Sequence, residues 1–371
     1  MNELYIGLMS GTSLNGVDAV LLEFSNGKIR LIRTHSEPFP ADLYAALQAL
    51  ITSQQTSLSQ LGTIDHQLAV IYSQAVKNLL HTAKTTASQI QAIGCHGQTI
   101  YHQPEGVHRN SLQLGDPNYI AETTGITVVA DLRRRDMAAG GQGAPMVPAF
   151  HAVTFRSAEA DRVILNIGGI ANITILPRAS DAPITGFDTG PGNTLLDQWI
   201  RRQRGIAFDQ NGEWSAAGSV LGEVLERLLA DAYFAKVAPK STGREHFNLA
   251  WLEQHVAIAQ YQSQDIQATL LELTCQSISS AITTYAKNAT EVFVCGGGAH
   301  NLHMLQRLSQ LLEPVTVATT AVLGVQPDWV EAAAFAWLAR QTMHQQAGNL
   351  MSVTGAKRPV ILGGIYQAET G

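Results

Sequence analysis

Residues 5–24 read YIGLMSGTSLNGVDAVLLEF, in which two apolar runs flank a short polar turn. An Asn-Gly pair between strand-like runs is the strongest short-range signal for a β-hairpin, so Asn15 and Gly16 predict a turn there. The preceding residues 10–13 add a glycine and three hydroxyl groups that a hairpin does not need. Backbone N–H groups and hydroxyls in such a turn can bind an anion or reach a metal. This stretch alone fits a plain hairpin and a phosphate-binding loop about equally well.

The elements around this hairpin occur twice along the chain in the same order. In the first half we predict strands at 4–9, 17–24, 28–33, 91–95 and 126–132, and helices at 41–51 and 61–84. In the second half we predict strands at 162–167, 171–176, 183–188, 291–295 and 315–318, and helices at 194–203, 215–231, 265–287, 300–312 and 328–345. This repetition predicts two α/β domains of similar topology. The polar turns at 10–16 and 168–172 would then face a shared cleft, where ligands commonly bind.

Composition narrows the class of protein. The 371 residues are 45% hydrophobic, which suffices for two domains. We expect an N-terminal domain at 1–130 plus about 346–371 and a C-terminal domain at 131–345. The formal charge of −6 argues against a nucleic-acid-binding protein. The sequence shows neither a secretory signal nor an apolar run long enough for a membrane span. Its three cysteines are widely spaced, and together these features predict a cytoplasmic protein.

The stretch GFDTGPGN (186–193) carries the strongest chemical signal. Asp188 ends a predicted strand, and Asn193 is placed to cap the helix that follows. Gly190 and Gly192 let the backbone approach a ligand closely, and the helix N-terminus favours an anion. A carboxylate at the tip of a strand beside an anion site is a candidate general base, although Asp188 could instead only bond its own turn.

Two further glycine loops are candidate phosphate sites. Gly168, Gly169 and Asn172 lie in the turn GGIAN (168–172). The stretch CGGGAHN (295–301) joins a predicted strand to a helix and matches neither a dinucleotide fingerprint nor a P-loop. On its own, that stretch is better explained by a tight, closely packed turn.

A third group of residues is suited to a sugar or an amide. The side chains of His96, Gln98 and Thr99 in CHGQT (95–99) offer hydrogen-bond donors and acceptors. Arg133 and Arg135 share a face if residues 132–145 are extended, and two guanidinium groups could clamp a carboxylate or a phosphate. A lone histidine and an arginine run are also common structural and solvent-exposed features. Glu331 is the lone charge in an apolar helical run, where it either lies in an exposed first turn or points into the cleft.

Taken together, these stretches resemble the anhydro-N-acetylmuramic acid kinase family. The resemblance rests on the following stretches, which occur in family order along the chain: GLMSGTSLNGVDA (7–19), AIGCHGQT (92–99), ITVVADLRRRDMAAGGQGAPMVPAFH (126–151), LNIGGIAN (165–172), GFDTGPGN (186–193), PKSTGREHFN (239–248), DIQATLLELT (265–274), VCGGGAHN (294–301) and EAAAFAWLA (331–339). Several of them are long and unusual, so the match is specific.

The resemblance implies the actin-like (ribonuclease H-like) fold, in which each of two domains has a mixed five-stranded sheet flanked by helices. It implies ATP and Mg²⁺, a small amino-sugar substrate, and hydrolytic opening of the 1,6-anhydro ring coupled to phosphate transfer onto O6. Asp188 matches the family's catalytic base, which activates the attacking water. The expected ATP and phosphate contacts are Gly11, Thr12, Ser13, Leu14, Asn15, Gly16, Val17, Asp18, Gly168, Gly169, Asn172, Gly190, Gly192, Asn193, Gly296, Gly297 and Gly298. The expected sugar contacts are His96, Gln98, Thr99, Arg133, Arg135 and Glu331.

One departure from the family pattern lies in the opening stretch. The family usually reads SGTSLDG, and this chain has Asn15 where the Asp stands. If that carboxylate helps to place Mg²⁺, phosphate transfer should be weaker here, and Asp18 could serve the metal instead. If it only shapes the turn, Asn15 is an equal or better turn former.

Two other functions remain open from the sequence. One is a kinase for another amino sugar in the same fold, and the other is a non-catalytic actin-like ATP switch. The cluster of sugar-directed residues with Asp188 argues against a switch. The sequence leaves a homodimer open.

Overall fold

The computed structural model describes residues 2–11 and 14–368, so the predicted phosphate-loop residues Thr12 and Ser13 lie outside the described residues. The chain divides into two compact units, Met1–Thr154 with Trp329–Gly371 and Phe155–Asp328. These boundaries differ from the expected ones, because residues 131–154 and 329–345 belong to the first unit.

The strands are β1 (Glu3–Ser10), β2 (Gly16–Ser25), β3 (Lys28–Pro38), β4 (Ile90–Gln103), β5 (Asn110–Leu114), β6 (Val128–Ala130), β7 (Arg162–Ile167), β8 (Ile170–Leu176), β9 (Thr185–Pro191), β10 (Glu291–Cys295), β11 (Thr316–Thr319) and β12 (Gly364–Tyr366). The α-helices are α1 (Ala41–Ser53), α2 (Leu58–Ala83), α3 (Pro117–Thr124), α4 (Leu132–Ala138), α5 (Val147–Phe155), α6 (Thr194–Arg204), α7 (Glu213–Ala216), α8 (Gly222–Leu229), α9 (Ala232–Ala235), α10 (Leu249–His255), α11 (Ser263–Tyr285), α12 (Leu302–Leu311), α13 (Val330–Met343) and α14 (Met351–Thr354). Short 3₁₀ turns occur at Ala87–Gln89, Gln210–Gly212, Ile258–Gln260, Gly297–His300, Thr320–Leu323 and Pro327–Trp329.

The two units share one sheet topology. In the first unit, β1 to β3 form an antiparallel meander, and β4 and β6 continue the sheet parallel to β1. In the second unit, β7 to β9 form the meander, and β10 and β11 continue it parallel to β7. The order β3-β2-β1-β4-β6 is therefore repeated as β9-β8-β7-β10-β11. The predicted α/β fold with two similar domains is confirmed, although the first sheet has seven strands where five were expected, because β5 and β12 extend it.

Helix α13 packs directly on the first sheet, which explains why it belongs to the first unit. A Cβ atom on Gly7 of β1 would lie 1.9 Å from the Ala332 carbonyl oxygen, and one on Gly94 of β4 would lie 2.0 Å from that of Phe335. Only glycine permits this close approach of helix and strand. On the opposite face of β1, Ile6 belongs to the hydrophobic core that α1 and α2 complete.

Several predicted elements differ from those in the structure. The Asn-Gly pair does not form a two-residue turn, because β1 ends at Ser10, β2 begins at Gly16, and Asn15 ends the longer loop between them. The helix predicted at 215–231 is broken into α7 and α8, and a Cβ atom on Gly218 between them would meet the Gln264 carbonyl oxygen at 2.4 Å. The strand predicted at 126–132 spans only Val128–Ala130, because α4 begins at Leu132. Among the helices of residues 2–11 and 14–368, none combines the length and apolar character needed to cross a membrane.

Candidate active site

The β7–β8 turn and the β9–α6 junction in the second unit are joined by backbone hydrogen bonds. The Gly169 carbonyl accepts the N–H groups of Gly192 at 2.9 Å and Thr194 at 3.0 Å, and the Gly168 carbonyl accepts that of Asn193 at 2.8 Å. A Cβ atom on Gly192 would lie 2.4 Å from the Gly168 oxygen. The structure thus brings together the glycines that the sequence assigned to two separate phosphate loops.

A third glycine loop packs against the same end of β7. Gly296 has a φ of +78°, and a Cβ atom there would lie 2.3 Å from Asn166 Oδ1. A Cβ atom on Gly298 would meet the Ile167 side chain at 2.3 Å. Among the described residues, one on Gly297 would have only Asn193 Nδ2, at 3.9 Å, as a neighbour within 4 Å. Close packing therefore accounts for Gly296 and Gly298, and Gly297 presents its backbone beside the other two loops.

Asn193 occupies the residue before α6 but does not cap the helix with its side chain. Its Nδ2 instead donates to the Ile167 carbonyl at 3.2 Å and so ties the β9–α6 junction to the end of β7. The predicted side-chain cap is wrong, because the helical backbone conformation of Asn193 (φ −84°, ψ −13°) differs from the extended one that a capping side chain requires.

Asp188 lies in the middle of β9, not at its end as predicted, because β9 continues to Pro191. It faces Asn172 of β8 across a register shift, so Asn172 lies beside the carboxylate residue and not with the glycines. The Asp188 N–H donates to the Lys240 carbonyl at 3.1 Å, and the Asp188 carbonyl accepts the Tyr233 hydroxyl at 2.6 Å. A bulge with a fixed backbone is a common way to aim one side chain at a site.

The Asp188 carboxylate is held by a loop that is distant in the sequence. Its Oδ2 accepts the Thr242 N–H at 3.0 Å. Burial raises the pKa of Asp188 to about 6, the Thr242 hydrogen bond opposes this shift, and the Glu245 charge adds to it. Asp188 is therefore ionised at neutral pH yet more basic than an ordinary carboxylate, as a general base requires.

The loop 239–248 also supplies a cation to the glycine loops. A Cβ atom on Gly169 would lie 2.9 Å from both Nε and Nη2 of Arg244, so this exposed guanidinium lies against the Gly169 backbone. This loop matches the family pattern, but the pattern assigns no role to its residues. The feature of the sequence that could have pointed to a site is the combination of small and charged residues in PKSTGREHFN.

In the first unit, His96 and Arg133 form a half-buried cluster. Arg133 donates to His96 Nε2 from Nε at 3.1 Å and from Nη2 at 2.8 Å, and its Nη1 donates to the Gly143 carbonyl at 2.8 Å. Burial and the Arg133 charge hold the pKa of His96 well below its usual range, so the ring is neutral and accepts at Nε2. The ring also packs on Phe335 of α13, with the centroids 4.7 Å apart.

Glu331 belongs to the same cluster. Burial raises its pKa, the Arg133 charge opposes that shift, and the Asp18 charge adds to it. Asp18 Oδ1 in turn accepts the Ser36 hydroxyl. Of the two alternatives for Glu331, an exposed first turn is thereby excluded.

Arg135 does not join this cluster. Residues 132–138 form α4 instead of an extended stretch, and side chains two apart on a helix do not face each other. Arg135 is exposed, so the predicted pair of guanidinium groups on one face is wrong.

Asp136 is a buried anchor that the sequence analysis missed. Its carboxylate accepts hydrogen bonds at 2.8 Å from the Gly143 N–H, Asn349 Nδ2 and Thr354 Oγ1. These bonds fix the glycine stretch to which Arg133 donates. No motif indicated this role, because Asn349 and Thr354 lie more than 200 residues further along the chain.

Gln98 and Thr99 continue along β4 from His96. Gln98 Oε1 accepts the Ser10 hydroxyl, which ties the end of β1 to β4 beside the β1–β2 loop. Thr99 Oγ1 accepts Gln113 Nε2 at 3.1 Å. The structure thus brings His96 and Arg133 together and places Gln98 against Ser10 at the end of β1.

A cavity of about 380 Å³ lies elsewhere in the second unit. It is lined by α7, α8, α11 and α12, and the Glu272–Arg307 ion pair forms part of its wall, with Arg307 Nε 2.8 Å from Glu272 Oε2. None of the predicted site residues that the structure describes lines it.

Known proteins match this sequence over nearly the whole chain. The family model for anhydro-N-acetylmuramic acid kinase matches residues 3–368. The anhydro-N-acetylmuramic acid kinase of Coxiella burnetii (strain RSA 493 / Nine Mile phase I) is 49% identical over 367 residues, which cover 99% of this chain and 98% of the relative. That of Shewanella loihica is 51% identical over 363 residues, which cover 98% of each protein. A solved ROK family glucokinase from Streptomyces griseus in complex with glucose and AMPPNP aligns over 91% of this chain and 99% of its own, with 13% identity and a TM-score of 0.39. At that level of structural likeness the fold assignment rests on the strand order given above. On the family match and these relatives, the chain belongs to the anhydro-N-acetylmuramic acid kinase family.

Proposed function

We propose that this kinase opens the 1,6-anhydro ring of 1,6-anhydro-N-acetylmuramic acid with water and phosphorylates O6 from ATP in the cytoplasm, as a step of murein recycling. The products are N-acetylmuramic acid 6-phosphate and ADP. The names of the relatives support the substrate. The observation that carries the reaction is the Asp188 carboxylate, which is held by the Thr242 N–H and has a pKa raised to about 6.

In this reaction Asp188 removes a proton from water as the water oxygen attacks the anomeric carbon. The bond between the anomeric carbon and O6 breaks, and O6 keeps the electron pair. O6 then attacks the γ-phosphorus of ATP, and ADP leaves. Positioning and charge neutralisation dominate phosphoryl transfer, so fixed loops and one base suffice on the protein side.

The joined glycine loops of the second unit are the proposed phosphate site. Gly168, Gly169, Gly192 and Gly297 carry no side chain that would keep a phosphate away from the backbone, and the mutual hydrogen bonds of the first three hold their loops in place. Arg244 lies against the same backbone and would add a positive charge.

The first-unit cluster is the proposed sugar site. Arg133 stays charged at neutral pH, because its pKa is lowered only to about 10, chiefly by burial. A guanidinium fixed on His96 and Gly143 is suited to bind a carboxylate, and the substrate carries one on its lactyl group.

The residues present fit a Mg²⁺ ion that is shared with ATP. Within the described residues no group of three or more His, Cys, Asp or Glu side chains could hold a metal alone. Mg²⁺ at phosphate sites commonly takes only one or two carboxylates besides waters and phosphate oxygens. Asp18, which is close enough to Glu331 to interact with it electrostatically, is the proposed donor. When bound, the ion would neutralise charge on the phosphates.

The test is ADP release with 1,6-anhydro-N-acetylmuramic acid, with N-acetylmuramic acid, with N-acetylglucosamine and without sugar. We expect release with the anhydro sugar alone, and its loss in Asp188→Asn with ATP binding retained. Asp181→Asn, an exposed carboxylate of the same unit, is the matched control. Sugar-independent release would support the ATP switch, and preference for a free amino sugar would support the other kinase.

A further inference from the structure

We propose that Glu245 is a positioning residue: a second carboxylate that Gly243 allows to fold back beside Asp188, where its charge favours proton uptake by Asp188. This inference rests on the proposed role of Asp188 as the base.

The first observation is the place of the Glu245 carboxylate. A Cβ atom on Gly243 would lie 2.1 Å from Glu245 Oε2 and 2.4 Å from Oε1. Both oxygens therefore occupy the space that any other side chain at 243 would fill. The φ of Gly243 lies outside the left-handed region, so a side chain at this position would displace the Glu245 carboxylate without straining the backbone.

The second observation is what the adjacent residue does. The Thr242 N–H donates to Asp188 Oδ2 at 3.0 Å, so the glycine under the Glu245 carboxylate directly follows the residue that holds Asp188. The turn is closed by His246 and Phe247, whose N–H groups donate to the Gly243 carbonyl at 3.2 and 3.1 Å. One short turn thus fixes both carboxylates.

The third observation is how the charges of this loop are separated. Arg244 lies against Gly169, on the glycine loops, while its neighbour Glu245 folds over Gly243. Within the described part of the chain, no ion pair within 4.0 Å neutralises the Glu245 carboxylate. The opposite charges of the adjacent residues Arg244 and Glu245 therefore lie over different parts of the chain.

The groups that face Asp188 from the other packed elements do not replace Glu245. Tyr233 of α9 donates to the Asp188 main-chain carbonyl, and burial and the Asp188 charge raise its pKa far above neutral, so it stays uncharged. The Lys240 ammonium donates to the carbonyls of Tyr233 and Phe234 at 3.2 and 3.3 Å. Asn172, opposite Asp188, carries no charge. Among these groups, Glu245 is the one whose charge raises the pKa of Asp188.

The experiment follows the Asp188 carboxyl carbon by NMR during a pH titration of the full chain labelled with ¹³C-aspartate. The signal is assigned by its loss in Asp188→Asn. We expect the midpoint of Asp188 to fall by roughly 0.5–1 pH unit in Glu245→Gln, since the interacting charge is exposed and screened. Gly243→Ala, which displaces the same carboxylate, should give a similar shift, and Glu245→Asp a smaller one. Glu226→Gln, an exposed carboxylate on α8, should give none.

An unchanged Asp188 midpoint in both Glu245→Gln and Gly243→Ala would overturn the proposal. Because the titration needs no turnover, it decides the role of Glu245 even if the proposed reaction fails. In the active enzyme, the acidic limb of kcat/KM should move with the NMR midpoint. Loss of activity with an unmoved limb would instead indicate a structural role for the loop.

Discussion

Gly192→Ala should disrupt the proposed phosphate site more than the addition of one methyl group suggests. The new Cβ atom would lie 2.4 Å from the Gly168 carbonyl oxygen and 3.2 Å from the Ala171 nitrogen. To restore a separation of 3.0–3.4 Å, the Gly168 carbonyl must retreat by roughly 0.6–1 Å. That carbonyl accepts the Asn193 N–H at 2.8 Å, so the retreat would also break one of the hydrogen bonds that join the two loops.

The magnitude follows from these two effects. Overpacking costs about 1–3 kcal/mol and a lost hydrogen bond about 1 kcal/mol, which together should lower Tm by roughly 5–12 °C for a unit of this size. A displacement of about 1 Å at a site that positions the reacting groups can cost about 100-fold in rate. We therefore expect kcat to fall by about that factor and KM for ATP to rise.

The assay is ADP release across an ATP series, with Tm measured by calorimetry on the same preparations. Gly222→Ala is the matched control, because a Cβ atom there would have no neighbour within 4 Å among residues 2–11 and 14–368. A Gly192→Ala enzyme with wild-type kcat, KM and Tm would refute the inference that the β7–β8 turn and the β9–α6 junction hold each other in place at the proposed phosphate site.

The remaining predictions concern charge. Activity should fall about tenfold per pH unit below pH 6, because Asp188, whose pKa is raised to about 6, must be ionised to act, and a flat profile there would contradict its role. The same raised pKa means that the ionised carboxylate destabilises the fold above the unfolded-state pKa. Asp188→Asn should therefore raise the free energy of unfolding at pH 7 by about 1–2 kcal/mol, and denaturant titration should show this gain vanishing below about pH 4. Arg133→Lys loses the forked contact with His96 and should raise KM for the sugar by about tenfold in steady-state kinetics, whereas exposed Arg135→Lys should leave it unchanged. Asn15→Asp introduces the family's carboxylate into the β1–β2 loop and should lower the Mg²⁺ concentration for half-maximal activity. An unchanged Mg²⁺ midpoint would show that the family aspartate only shapes the turn.

Much of the fold could be predicted because its elements alternate regularly between strand and helix patterns. The three-strand meanders and the apolar helix α13 follow from local periodicity, and each lies within a few residues of its predicted place. The side on which α13 packs could not be predicted from periodicity. It is decided by the close approach to Gly7 and Gly94, which lie hundreds of residues away in the sequence.

One failure within the candidate site has a tertiary cause. Arg133 and Arg135 would share a face if residues 132–145 were extended, but Leu132–Ala138 form α4. Seven residues are too few to show the period of this helix against three consecutive arginines. Its start is instead set by Asp131 in the left-handed conformation, with φ 57°, and its end is anchored by Asp136 to the C-terminal segment. Such anchors depend on tertiary contacts, which no local pattern reports.

The loop 239–248 shows how a site can be matched in the sequence while its chemistry stays hidden. The conformational freedom of a glycine predicts only that the chain can turn there. Here charged groups occupy the space that a side chain would fill at two glycines: the Arg244 guanidinium over Gly169 and the Glu245 carboxylate over Gly243. The first directs positive charge to the proposed phosphate loops, and the second directs negative charge to the proposed base. Since the two charges belong to neighbouring residues, any movement of this loop would alter the base and the phosphate site together. Proton removal from water and neutralisation of the phosphates would thus depend on a single turn.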